Sequence, residues 1–275
     1  MVETNNEAVI RVEGLEAAYG DAVVLRDVSF EVRTAEVFVI LGGSGCGKST
    51  LLKHMIGLRR PAAGSVTIDG MDMVNAEGAE RLEILRRIGV MYQSGALFGS
   101  MNLMENICLV LSEFTDLPDA AMERIARMKL KVVGLEGSEY KMPAELSGGM
   151  RKRAAIARAM ALDPKILFLD EPSAGLDPIT SAQVDELILK LSRHLHMTFV
   201  IVSHELPSIY TVADRVIMLD KDSKTIIAEG KPEELRDKSG NAWVQRFFNR
   251  RAPDASEAAE SAERTGAGNN GNNNG

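Results

Sequence analysis

A glycine-rich stretch, GGSGCGKST (Gly42–Thr50), has the residue types of a phosphate-binding loop. The pattern Gly42-x-x-x-x-Gly47-Lys48-Ser49 follows the apolar segment EVFVIL and precedes a helical pattern, which is the context that this motif requires. Successive backbone N–H groups can surround the β- and γ-phosphates, Lys48 adds a positive charge, and the Ser49 hydroxyl can bind Mg²⁺. We therefore predict that a nucleoside triphosphate with Mg²⁺ is bound by Gly42, Gly43, Ser44, Gly45, Cys46, Gly47, Lys48, Ser49 and Thr50.

Two adjacent carboxylates close the apolar segment KILFLDEP (165–172). A continuous apolar run is typical of a strand that is buried on both faces. At its end Asp170 could hold Mg²⁺ through water, and Glu171 could orient and deprotonate an attacking water. Alone, such a pair is more often a helix cap or a solvated turn. The phosphate-binding loop upstream favours the catalytic interpretation.

Three further side chains stand where strands end. Gln93 follows RIGVMY and His204 follows MTFVIVS, and ligands bind outside the carboxyl ends of parallel strands. We expect both to face the γ-phosphate, Gln93 also as a Mg²⁺ ligand. Tyr19 could stack on adenine; the alternative for it is a half-buried tyrosine at a strand end.

A second anion-binding pattern lies much later, in LSGGMRKRAAIARAM (146–160). Ser147, Gly148 and Gly149 lead into a helix, and a helix N-terminus with free N–H groups attracts anions. The basic run RKR that follows could equally be a solvated or partner-facing surface of that helix. One chain therefore carries two candidate phosphate sites.

Alternating strand and helix patterns must position these residues. Short strands are predicted over 8–40 and 65–73, helices over 74–87 and 103–160 with an interruption near 134–149, and strands and helices alternate from 163 onward. This alternation implies βαβ crossovers and a largely parallel sheet. The stretch 251–275 has no apolar residue larger than alanine and is predicted to be a disordered tail.

Composition excludes several classes of protein. The net charge is −7 and the pI is near 5.3, so a basic surface for nucleic acid is not expected. Two cysteines are too few for a disulfide framework. No signal-peptide pattern and no apolar run of about 20 residues is visible, so we expect a cytoplasmic protein whose membrane role depends on a partner.

The ordered set Tyr19, Gly42–Thr50, Gln93, LSGGM, ILFLDEP, AGLD and His204 resembles the ATPase domain of ABC transporters over residues 8–230. The resemblance implies an α/β P-loop NTPase at 8–247, with a mainly parallel core sheet, an N-terminal antiparallel β subdomain and a helical insert at about 94–160. It implies two ATP molecules held head-to-tail in a homodimer, with the signature segment (Leu146–Met150) of one copy facing the phosphate-binding loop of the other. Asp177, in AGLD, joins the nucleotide-binding residues on the same basis. Met150 departs from the family's usual glutamine.

A narrower resemblance lies in YQSGALFGSMNLMENI (92–107), which is similar to the Mla/Mce-type ATPases of lipid transport. It implies integral membrane permease subunits at the inner face of the membrane, an Mce-domain lipid-binding protein and, in some members, a small STAS-domain protein. Ser94–Ala96 are small and could leave a groove for a partner helix, floored by Leu97 and Phe98, or these two side chains could simply anchor the insert. The alternatives are a soluble ABC ATPase, such as an iron–sulfur assembly factor, or another class of ABC transporter.

Overall fold

Two sheets and a set of helices make up the part of the chain that this computed structural model describes, residues 7–20 and 22–250. The strands are β1 (Ala8–Tyr19), β2 (Ala22–Arg33), β3 (Val37–Gly42), β4 (Ala63–Ile68), β5 (Met71–Asp72), β6 (Ile88–Met91), β7 (Ile166–Asp170), β8 (Thr198–Val202), β9 (Arg215–Leu219) and β10 (Ile226–Gly230). The helices are α1 (Lys48–Met55), α2 (Gly78–Arg87), α3 (Leu103–Phe114), α4 (Asp119–Val132), α5 (Gly148–Ala159), α6 (Pro178–Leu195), α7 (Leu206–Val212), α8 (Pro232–Lys238) and α9 (Ala242–Asn249). The tail predicted over 251–275 lies outside the described residues.

The larger sheet has the strand order β10-β9-β3-β8-β7-β6. Its inner pairs are parallel, and β10 alone runs antiparallel, against β9, as the second strand of a hairpin. The strand β3 lies at the centre, and the strand that ends in Asp170 is separated from it by β8. This order brings the carboxyl ends of β3, β6, β7 and β8 to one edge of the sheet, where the predicted site residues follow them.

Both faces of this sheet are covered, and its parallel strands are apolar at nearly every position. In β3, Val37, Val39 and Leu41 pack into one core with helices α3 to α7, while Phe38 and Ile40 pack into a second core. The second core contains α1 and the inner face of the smaller sheet. Helix α1, which follows the phosphate-binding loop, is therefore packed between the two sheets.

The smaller sheet has the order β2-β1-β4-β5 and is antiparallel throughout. Helices α3, α4 and α5 fall between residues 94 and 160 and pack on one another. The predicted fold class, with a mainly parallel core sheet, an N-terminal antiparallel sheet and a helical insert, is confirmed.

The last helix, α9, returns to the phosphate-binding loop. The Trp243 ring stacks on Phe247 with the ring centres 5.8 Å apart. The Trp243 Cζ2 atom lies 3.7 Å from the point where a Cβ at Gly43 would stand. Within the described ranges, no helix is both long and apolar enough to cross a membrane.

Candidate functional site

The phosphate-binding loop has a backbone that only glycine can adopt at two of its positions. Gly42 has φ +148°, and a Cβ there would lie 2.4 Å from Cys46 Sγ and 2.5 Å from the backbone oxygen of Leu219. Gly47 has φ +103°, and its Cβ would lie 2.7 Å from Leu25 Cδ2. Left-handed backbone and lack of space both exclude side chains here. The loop is thus fixed between β3 and α1 before any ligand arrives.

Lys48 lies in the first turn of α1 and curls over this loop. Its Nζ donates to the backbone oxygens of Gly42 and Gly43, at 2.8 and 2.9 Å. These contacts hold the ammonium group against the backbone of the loop. Ser49 follows in the same turn.

The other members of the loop differ in what they can offer a ligand. Ser44 and Gly45 are exposed, whereas the Cys46 side chain is 2 % exposed and packs in the second core. Burial raises the pKa of the Cys46 thiol, which keeps it neutral. Only the backbone of Cys46 is therefore available to a phosphate.

Tyr19 ends β1 at the rim of the loop. Its hydroxyl lies 3.3 Å from Thr50 Oγ1, and the guanidinium carbon of Arg59 lies 4.6 Å from its ring centre. The ring is 39 % exposed, so one face remains accessible to a base. Arg59 was not predicted from the sequence, since it lies 40 residues further along the chain.

The paired carboxylates stand at the end of β7, two strands from β3. Glu171 is 7 % exposed and has φ +50°, unusual for a residue with a side chain. Its Oε1 lies 2.6 Å from Nδ1 of the exposed His204, which follows β8. Burial, and secondarily the neighbouring Glu171, raise the pKa of Asp170. The structure thus brings the predicted base and the predicted histidine into direct contact.

Two carboxylate oxygens at this edge are buried without a hydrogen-bond partner among the described residues, Asp170 Oδ1 and Glu171 Oε2. A buried charged oxygen without a partner is costly unless a cation or a water occupies the space beside it. Oxygen donors are also what Mg²⁺ prefers. The carboxylates therefore fit a Mg²⁺ ion and a water held next to a bound triphosphate.

Gln93 joins the same edge after β6, with its side chain exposed. Its backbone oxygen accepts a hydrogen bond of 2.7 Å from Lys152 Nζ, and the backbone oxygen of Glu171 accepts one of 2.8 Å from the same atom. An open cavity of ≈ 640 Å³ is lined by Lys53, Tyr92, Gln93, Ser94, Gly148, Arg151, Lys152, Asp170, Ala174, Gly175 and Leu176. Gln93 and Asp170 therefore line a common space, and their contact with a nucleotide stays a prediction. The alternative of a solvated surface for the basic run RKR does not hold for Lys152, because its side chain is buried.

The signature segment begins helix α5. The Ser147 hydroxyl accepts a hydrogen bond of 3.3 Å from the Met150 N–H of its own helix, and the Ser147 side chain is exposed. A Cβ at Gly149 would lie 2.2 Å from Thr180 Cγ2, so Gly149 allows α5 to pack closely on α6. Asp177 caps α6 by accepting from the N–H groups of Ile179 and Thr180, at 3.1 and 3.0 Å. Its carboxylate is thus engaged within its own helix, and its contact with a nucleotide stays a prediction.

The ABC transporter family profile matches residues 25–174, more than half of the chain. The chain is 43 % identical over 242 residues to the probable ribonucleotide transport ATP-binding protein Mkl of Mycobacterium leprae, covering 88 % of this chain and 69 % of that protein. It is 39 % identical over 230 residues to the intermembrane phospholipid transport system ATP-binding protein MlaF of Haemophilus influenzae, covering 84 % of this chain and 86 % of that one.

Solved structures agree with these relatives. A dimeric, post-hydrolysis ATP-binding cassette bound to ADP and Pi superimposes with a TM-score of 0.73 at 29 % identity, over 81 % of this chain and 98 % of that chain. CbiO1 of Clostridium perfringens, part of the ABC transporter complex CbiONQ, gives 0.76 at 28 % identity, over 92 % and 99 %. The loop, the carboxylates and these likenesses agree, and the chain belongs to the ABC transporter family as an ATP-binding subunit that hydrolyses ATP.

Proposed function

We propose that this ATPase works as a homodimer around two ATP molecules and drives the transport of phospholipid or another lipid across the cell envelope. The observation that carries the dimer is the presence of two separate anion cradles in one chain. The phosphate-binding loop already supplies a lysine and a ring of N–H groups, while Ser147 is exposed at the start of another helix. A second copy could place its Ser147–Gly149 against the phosphates held by the first.

Each residue then has a defined task in hydrolysis. Lys48 exchanges its carbonyl partners for phosphate oxygens, and Glu171 takes a proton from the attacking water. His204, hydrogen-bonded to Glu171 Oε1, holds that carboxylate in place and reaches toward the γ-phosphate. Ser49, Gln93 and Asp170 would hold Mg²⁺, which would neutralise charge on the phosphates. Asp177 approaches the nucleotide across the dimer.

An apolar groove supports a permease partner. A space of ≈ 450 Å³ lies between α1, α2, β6 and the start of the helical insert. Ala96 and Phe98 line this groove. The Phe98 side chain is 50 % exposed. Leu97 instead packs against the first core, so only one of the two apolar side chains predicted as the floor faces the groove. A groove of this kind suits an amphipathic helix of an integral membrane protein.

The cargo and the remaining partners are inferred from the relatives. The likeness to MlaF favours phospholipid as the cargo. The resemblance of residues 92–107 to Mla/Mce-type ATPases is the ground for proposing an Mce-domain lipid-binding protein and a small STAS-domain protein as companions, with the ATPase on the cytoplasmic face of the membrane. The likeness to Mkl favours a second candidate cargo, ribonucleotides. Uptake of labelled phospholipid and of labelled ribonucleotide by membranes containing the whole transporter would separate the two.

Composite sites can be tested by mixing two inactive chains. Lys48→Ala damages the phosphate-binding loop, and Ser147→Arg damages the signature segment. In a mixed dimer one site has both faults and the other has neither, so part of the ATPase activity should return. Isolated mixed dimers without activity, beside wild-type–mutant dimers that retain it, would contradict shared sites.

The permease groove can be tested by charge. Phe98→Asp places a carboxylate in the groove and should abolish co-purification of the membrane subunit while basal ATPase activity remains. The matched control is Met128→Asp on α4, where the methionine is also 50 % exposed. Equal recovery of the membrane subunit with Phe98→Asp and with wild type would exclude this docking site.

A further inference from the structure

A buried lysine connects the two loops that carry the predicted catalytic side chains. Lys152 lies on α5, five residues after Ser147, and is 8 % exposed. Its Nζ donates to the backbone oxygens of both Gln93 and Glu171. Burial lowers the pKa of Lys152, and the nearby Glu171 and Asp170 oppose that shift. In place of water, the ammonium group therefore has two carbonyl oxygens as hydrogen-bond acceptors, and two carboxylates lie nearby.

The contact with Glu171 falls on a peptide group with an unusual conformation. Glu171 has φ +50°, in the left-handed region that residues with a side chain rarely adopt. Such a backbone persists only where its surroundings hold it. The Glu171 N–H donates to Val202 of β8 at 2.8 Å, and its carbonyl accepts from Lys152. Both sides of the residue are thus held, which sets the direction in which its side chain leaves the backbone.

The contact with Gln93 falls on the loop between β6 and the helical insert. The Gln93 side chain is exposed, so its position depends on the backbone that carries it. An ammonium group has three donors, and Lys152 uses two of them to join this loop to the end of β7. Lys152 itself lies on α5, the helix that the signature segment begins.

We propose that Lys152 is a positioning residue for hydrolysis, which fixes the backbones of Glu171 and Gln93 relative to each other and to the signature helix. This inference rests on the proposed role of Glu171 as the base. Among the described residues, the Lys152 ammonium group donates to Gln93 and Glu171 and to no atom of the phosphate-binding loop. Removing this group should therefore affect the chemical step more than ATP binding.

Lys152→Met keeps the length of the side chain and removes every donor. We expect kcat to fall by about 10- to 100-fold, the size of effect that a misplaced catalytic group produces. The dissociation constant for ATP should stay within about twofold of wild type. Lys152→Arg, which retains donors, should recover most of the lost kcat, and it also tests the proposal if Lys152→Met does not fold.

The matched control is Arg153→Met. Arg153 is the next residue of the same helix, carries the same charge and also donates to backbone oxygens, of Val133 and Gly134, away from the site. It should leave kcat near wild type. Unchanged kcat in Lys152→Met, equal losses in the two methionine variants, or no recovery with arginine would overturn the proposal.

Glu171→Gln is measured alongside to separate the two levels of inference. Wild-type hydrolysis by Glu171→Gln would refute the base. A large loss in Glu171→Gln together with unchanged hydrolysis in Lys152→Met would refute only the positioning role of Lys152.

Discussion

The phosphate-binding loop and the signature segment both depend on glycine, but for different physical reasons. In the loop, Gly42 and Gly47 have positive φ values and lie against backbone or buried side chains. In the signature segment, Gly149 has an ordinary helical backbone and is needed because Thr180 of another helix lies where its Cβ would stand. The first requirement combines positive φ values within a local turn with contacts from Leu219 and Leu25, whereas the second arises only when α5 packs on α6.

This difference extends to how each cradle could hold an anion. The loop is closed on itself by Lys48, whose ammonium group already rests on the loop's carbonyls. The signature segment is open, with an exposed serine, and Arg151 of the same helix donates to the backbone oxygen of Leu146. The loop thus holds its cation over the cradle, whereas the signature segment offers an exposed hydroxyl at the start of a helix.

The largest expected effect separates the hydrolysis step from the binding of phosphate by either segment. Glu171→Gln preserves shape and the hydrogen bond to His204 but removes the base. We expect ATPase activity to fall about 10²- to 10⁴-fold while ATP binding persists. Lys48→Ala should instead weaken ATP binding, as measured by equilibrium dialysis with labelled nucleotide. Near wild-type turnover by Glu171→Gln would show that another group is the base.

The next effect tests how far crowding adds to the backbone requirement in the loop. Gly42→Ala meets both a sulfur and a backbone oxygen and should lower the free energy of unfolding by at least about 3 kcal/mol, with loss of ATP binding. Gly45→Ala is the matched control, since Gly45 also has positive φ but has nothing within 4 Å of its Cβ position. It should cost about 1–2 kcal/mol. Similar losses in the two variants, measured by urea unfolding, would mean that crowding is unimportant.

A smaller effect tests the tertiary requirement in the signature helix. Gly149→Ala should lower stability by about 1–3 kcal/mol because the new methyl group overlaps Thr180 Cγ2. Thr180→Ser removes that carbon and keeps the hydroxyl that donates to Asp177. The double variant should therefore regain much of the loss. Strictly additive effects of the two substitutions would contradict the contact.

The smallest expected effect concerns a buried histidine of α1, the helix that follows the phosphate-binding loop. Helix α1 buries His54 in its last turn, with Nδ1 3.0 Å from the backbone oxygen of Arg59, and burial lowers the pKa of His54. The unfolded chain, with a histidine pKa of about 6.5, then binds the proton more readily, so this contribution to stability is lost as pH falls through that value. The fall in the unfolding temperature between about pH 7.5 and pH 5.5 should be smaller in His54→Gln than in wild type. His194→Gln, at an exposed histidine, is the matched control for the substitution itself.

Local patterns were sufficient to predict the strand, loop and helix around Gly42–Thr50 and the strand that ends in Asp170, because apolar runs and turns are properties of neighbouring residues. Contacts between distant residues could not be predicted in this way. The burial of Lys152 is the clearest case, since a run of three basic residues is usually solvated, and only the approach of the Gln93 and Glu171 carbonyls gives its charge partners. The Arg59 guanidinium over Tyr19 and the helix-capping role of Asp177 likewise depend on how elements meet.

The return of α9 to the phosphate-binding loop gives the protein an internal optical reporter. Trp243 is the only tryptophan in the 275 residues, and its indole lies beside Gly43. The fluorescence of an indole depends on the polarity around the ring. Binding of a triphosphate at the loop should therefore change the emission wavelength or intensity of Trp243. Nucleotide occupancy could then be followed in real time on the unlabelled chain, without a fluorescent analogue.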